Sequence, residues 1–131
     1  MQLFIEDSTV VEDVKTIFTN HYPFLKIELY KKPYTSKHLK IKKELLAPAS
    51  SINKYTQAPR KTVINIDNCI TVSELENQFA AIGLVAEVFR KSGNVWIETS
   101  LTDNWTLQQQ NMEGEEISRH FNDKKITFSN A

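Results

Sequence analysis

The chain has 131 residues, 40% apolar and 24% charged, which is the size and balance of one globular domain able to bury a core without metals or disulfides. Its 16 basic and 16 acidic side chains cancel, so there is no overall basic field of the kind that gathers nucleic acid. No apolar run approaches the roughly 18 residues of a membrane span, the first residues lack a signal-peptide pattern, and Cys69 is the single cysteine. The expectation is a cytoplasmic domain without disulfide, structural metal or other cofactor.

Along the chain, Leu3 and Ile5 alternate with polar neighbours and predict a strand. Ser8 or Thr9 follows as an N-cap, with Glu12 at capping-box spacing from Thr9. The helix then places Val11, Val14 and Phe18 on one face and stops before Pro23. In the next strand Leu25, Ile27 and Leu29 share one side, and Phe24, Lys26, Glu28 and Tyr30 the other. The same grammar returns at residue 62: a strand in "TVINID", a second Thr-x-x-Glu box at Thr71 and Glu74, a helical face of Val72, Leu75, Phe79 and Ile82, and a stop at Gly83. Glu28 to Lys32 ("ELYKK") matches Glu87 to Lys91 ("EVFRK") in chemical type. Gly93-Asn94 between two apolar runs adds a hairpin strand.

The organisation is thus one α+β domain over residues 1–131. It has repeat-like units at 1–32 and 62–99, a basic linker at 33–61, and a C-terminal helix and tail at 100–131. Two βαβ units predict a ferredoxin-like antiparallel sheet with two helices on one face, plus the extra hairpin strand and the C-terminal helix. That last helix is expected to break near Gly114, with "KKITFS" adding a short strand. The linker holds Pro33, Pro48 and Pro59 and most of the charge asymmetry: residues 31–61 carry nine basic side chains and one acidic.

The stretch "VFRKSGNVWIETSLTDNWTLQQQN" resembles a group of short uncharacterised bacterial proteins, and the resemblance covers most of the chain. It implies kinship and brings no activity with it.

Catalytic motifs are missing from the sequence. Three glycines make no phosphate-binding loop, and His21, His38 and His120 are isolated from one another. Cys69 stands just before a predicted helix start, where a helix dipole can activate a thiol, although a buried inert cysteine is the commoner outcome. No enzyme activity is expected. A surface feature is sharper. If the alternating apolar residues face the helices, then Tyr30, Phe89 and Trp96 emerge together on the opposite face, with Lys31, Lys32, Arg90 and Lys91 at the strand ends. Lys37, Lys40, Lys42 and Lys43 form the basic part of the linker.

These residues are the candidate interaction surface for an unknown protein partner or for self-association, with the C-terminal segment (Trp105, Phe121, Ile126, Phe128) or a second copy covering the aromatics. The alternative is a nucleic-acid-binding domain that uses segment 31–61 and the aromatic face, as base-stacking sheets do. Glu28, Glu87 and Glu98 on the same face oppose it, since they repel phosphates.

Overall fold

The computed structural model describes residues 1–32, 44–56 and 61–129, with side chains described as far as residue 121. In chain order the elements are β1 (Gln2–Ile5), α1 (Val11–His21), β2 (Leu25–Lys31), β3 (Thr62–Asn65), α2 (Val72–Ala80), β4 (Leu84–Ser92), β5 (Val95–Glu98) and α3 (Leu107–Ser129), with short 3₁₀ turns at Ile52–Lys54 and Ser100–Thr102. The architecture is α+β, but the strands pair differently from the ferredoxin-like expectation. β1 pairs antiparallel with β3, while β2, β4 and β5 form a separate three-stranded antiparallel sheet in that order. Each βαβ unit contributes one strand to each sheet. Hydrophobic alternation sets which face of a strand is buried and leaves its lateral partner undetermined.

One core joins both sheets and α1 and α2. Leu3, Ile5, Val11, Val14 and Phe18 from the first unit recur at a constant spacing as Ile64, Ile66, Val72, Leu75 and Phe79, all buried. Past the helices the spacing shortens by two, because α2 has 9 residues where α1 has 11. Leu25, Ile27 and Leu29 are then matched by Leu84, Ala86 and Val88, again buried.

The correspondence extends into the segment after each unit. The amides of Val11 and Glu12 at the start of α1 donate to the carbonyls of Ser50 and Pro48, and those of Val72 and Ser73 at the start of α2 donate to Trp105 and Asp103. Ile52 N–H returns to Thr9 and Leu107 N–H to Ile70. Downstream backbone therefore satisfies amides that every helix start leaves orphaned. The two helices nevertheless start differently. The N-cap of α1 is Val10, without a side-chain cap, and Thr9 Oγ1 accepts instead from the Glu6 amide at 3.0 Å. At α2 the expected cap is present, Thr71 Oγ1 accepting from the Glu74 amide at 3.1 Å.

α3 runs unbroken through Gly114 and includes the backbone of "KKITFS", which forms no strand. A Cβ at position 114 would lie 2.9 Å from Phe24 Cβ and 3.2 Å from the Lys91 carbonyl oxygen. The glycine is thus a point of close approach to the sheet, which outweighs its poor helix propensity. Around it the docking face is polar: Asn111 Oδ1 accepts from the Phe24 amide and Ser118 Oγ from the Gly93 amide.

Candidate functional site

Directly opposed residues of an antiparallel pair share a face. The β2–β4 register sets Lys26 opposite Phe89, Glu28 opposite Glu87 and Tyr30 opposite Val85. The β4–β5 register sets Phe89 opposite Glu98 and Lys91 opposite Trp96. Tyr30, Phe89 and Trp96 thus lie on the face turned away from the buried Leu25, Ile27, Leu29, Ala86 and Val88, together with Glu28, Glu87 and Glu98. Trp96 is 37% exposed, and Tyr30 and Phe89 are half-buried.

The face has its own electrostatics. Lys26 Nζ stands 5.3 Å from the Phe89 ring centroid and 5.2 Å from that of Trp96, a cation–π arrangement over both rings. Glu28 and Glu87 meet across the central strand pair, an unfavourable opposition of like charges. Lys15 of α1 reaches Glu28 at 3.1 Å. Tyr30 hydrogen-bonds Glu87, and its hydroxyl pKa is pushed up first by burial, then by the charge and hydrogen bond of Glu87, and further by Glu28 and Glu98.

The basic residues at the strand ends do not gather on this face as expected. Arg90 is opposite Leu25 and so turns to the inner side. There its Nη1 donates to Gln110 Oε1 at 2.8 Å and its guanidinium lies 5.7 Å from the Trp105 ring centroid. The fully buried Gln110 donates in turn to the carbonyl and hydroxyl of Thr102, so Arg90 serves to anchor α3. Lys31 pairs with Glu44 at 3.3 Å. Lys91 lies in register with the aromatic face, opposite Trp96, and Lys32 is exposed just beyond the end of β2. Lys37, Lys40, Lys42 and Lys43 lie outside the described residues, as does His38.

The C-terminal segment also goes elsewhere. Trp105 stacks with Arg90, and the Phe121 ring lies against Gly93 in the hairpin turn. The described contacts of α3 are with Asn68, Ile70 and Thr102 at its start and with Phe24, Arg90, the Lys91 backbone and Gly93 along its length. Ile126 and Phe128 belong to the part of α3 whose side chains are not described.

Two cavities border the sheet. A groove of about 520 Å³ is lined by Lys15, Thr19, Lys26, Glu28, Pro48 and Trp96. A smaller one of about 100 Å³, where β5 leaves β4, is lined by Glu76, Glu87, Glu98, Thr99, Ser100 and Asp103. A third concavity, of about 740 Å³, follows the exposed side of α3 past Trp105, Met112 and His120. Sequence reasoning missed the acidic cavity because its residues come from α2, β4, β5 and the turn beyond.

Among the described residues no group of His, Cys, Asp and Glu is arranged to hold a metal ion, and no helix is long and apolar enough to cross a membrane. Cys69 is exposed rather than buried. His21 packs edge-on against Tyr22, and His120 lies 3.9 Å from Glu116 on the surface of α3. Compared with known protein families, curated proteins and solved structures, the chain matches none.

Proposed function

We propose that this chain is a non-catalytic cytoplasmic protein-interaction module whose docking surface is the outer face of the three-stranded sheet. The observation that carries the reading is the make-up of that face, where Tyr30, Phe89 and Trp96 stand among Glu28, Glu87 and Glu98 while the described part of α3 packs elsewhere. Aromatic side chains ringed by polar ones are the usual anchors of protein interfaces, supplying apolar area at little entropic cost. The nucleic-acid alternative is weakened by Arg90 facing inward and by three carboxylates beside the rings, which disfavour a phosphate backbone.

A photo-crosslinking phenylalanine analogue placed at Phe89 or Trp96, in cells producing the full chain, tests the reading. Discrete covalent protein adducts are expected from both positions and not from Gln108, an exposed control on α3. Adducts no stronger at 89 and 96 than at 108 would sink it.

A further inference from the structure

We infer that the open edge of β5 captures an extended partner segment of alternating apolar and basic residues, which joins the sheet as a further strand. This rests on the interaction-module reading and adds to it a binding mode and a partner chemistry. β5 is the terminal strand of its sheet, and among the described residues no backbone group bonds to its outer side. Such an edge is a template for another strand, and proteins normally blunt it with lysine, proline or a bulge. β5 reads Val95-Trp96-Ile97-Glu98 and is short, at 4 residues, with a single charge in Glu98. But it has no lysine or proline, its register runs without a bulge, and Val95 is 53% exposed. The opposite edge differs. Along β2, residues 44–46 already occupy the ladder, Lys31 N–H donating to Glu44 and Leu46 N–H to Leu29.

Register and charge specify the occupant. A strand added beside β5 places alternate side chains opposite Trp96 and Glu98 on the outer face, and the others beside Val95 and Ile97 on the inner side. A lysine or arginine fits the outer position opposite Glu98, against its carboxylate. At Trp96, Lys26 already stands 5.2 Å from the ring and Lys91 lies across the strand pair, so the preference for a basic residue is set at the Glu98 end. Asp103 and Glu76 lie around the acidic cavity at the same end of β5, and no basic residue lines it. A second copy pairing through its own β5 fits less well. Antiparallel self-pairing about Trp96 and Ile97 sets Glu98 against the partner's Val95 and brings no cation to the carboxylates.

The test titrates the full chain with two labelled octapeptides, alternating Lys-Val and alternating Glu-Val, and follows amide hydrogen exchange at Val95–Glu98. Lys-Val is expected to bind and to slow exchange along β5, whereas Glu-Val does not bind. The double variant E98K/D103K, altered only at exposed side chains, should bind Lys-Val about tenfold or more weakly and gain affinity for Glu-Val. Equal binding of the two peptides, or Lys-Val affinity unmoved by the charge reversal, overturns the inference, as does self-association of the unliganded chain through β5. If Lys-Val perturbs Phe89 and Trp96 without slowing exchange at β5, strand addition fails while the interaction face stands. If it perturbs neither face nor edge, the inference is overturned, and the crosslinks from Phe89 and Trp96 decide the broader reading separately.

Discussion

Residues 44–52 do for α1 what residues 95–107 do for α2: each segment pairs with the strand that follows its helix, then returns to bond that helix's first amides. With so much shared, the differences stand out. The first segment ends in a 3₁₀ turn of three residues, whereas the second continues into the 23 residues of α3. Lys15 on α1 meets Glu28, but its counterpart on α2 is Glu76, beside Glu87. The core positions are alike in both halves. The halves diverge at the surface, and the acidic cavity and the open strand edge both belong to the second.

Equivalence in the core is open to the severest test. Phe18 and Phe79 are both fully buried, and truncating either to Ala should cost about 3–5 kcal/mol in chemical denaturation. Two losses differing by more than about 2 kcal/mol would break the correspondence, because equivalent cavities cost alike.

Tyr22 has no tyrosine counterpart in the second half and should give the first an alkaline weakness. It is buried, donates to the Ile66 carbonyl at 2.5 Å, and its pKa is raised to about 12, first by burial and then by Asp67 and Cys69. A phenol harder to ionise when folded contributes stability that is fully present below pH 10 and lost as pH rises through about 12. That loss amounts to about 2–3 kcal/mol. Denaturation midpoints against pH should fall steeply in the unmodified chain. They should fall much less in Tyr22→Phe, which loses about 1 kcal/mol at neutral pH instead.

The remaining three expectations bear on where the halves differ. Gly114→Ala should destabilise the docking of α3 by about 1–2 kcal/mol despite the better helix former, because overpacking against Phe24 and the Lys91 carbonyl outweighs propensity. Faster amide exchange confined to α3 would report it, and unchanged exchange would mean the contact is soft. Thr71→Ala should cost about 1 kcal/mol as a lost N-cap. Thr9→Ala should cost about half as much or less, since Thr9 caps no helix. Equal losses in thermal melts would contradict the different starts of α1 and α2. Last, Lys15→Glu copies the second half's charge into the first and should lower stability by about 0.5–1 kcal/mol, less at high salt.

Local signals carried the sequence reading a long way. The apolar spacing of Val11, Val14 and Phe18 and of Val72, Leu75 and Phe79 located both helices, and Gly93-Asn94 located the hairpin, with Gly93 at φ 68°. Parity placed Tyr30, Phe89 and Trp96 on one face. The same rule applied to Arg90 puts it inside, opposite Leu25, where attention to charge alone had left it with the lysines. What stayed illegible depends on partners distant in sequence. Nothing local to "TVVE" reveals that Pro48 and Ser50 will bond the first turn of α1, or that its N-cap is Val10 rather than Thr9. Nothing local to Gly114 reveals that Phe24 and Arg90 crowd it. Lateral strand order is underdetermined for a like reason, since an apolar face serves equally well in one sheet or in two.

The cross-pairing of strands bears on the order in which the chain matures. Gln2 waits for Asn65 and Leu25 for Arg90 before either first-unit strand has its main neighbour, and α2 does not receive the carbonyls of Asp103 and Trp105 until still later. A ribosome therefore releases a first half that can coil its helix but cannot close its sheets. Long-range pairing of this kind slows folding, because loop-closure entropy is met before the contacts that offset it. The cooperative unit is the interlocked pair of halves, and cutting the chain between them yields two fragments with bare strands rather than two small domains.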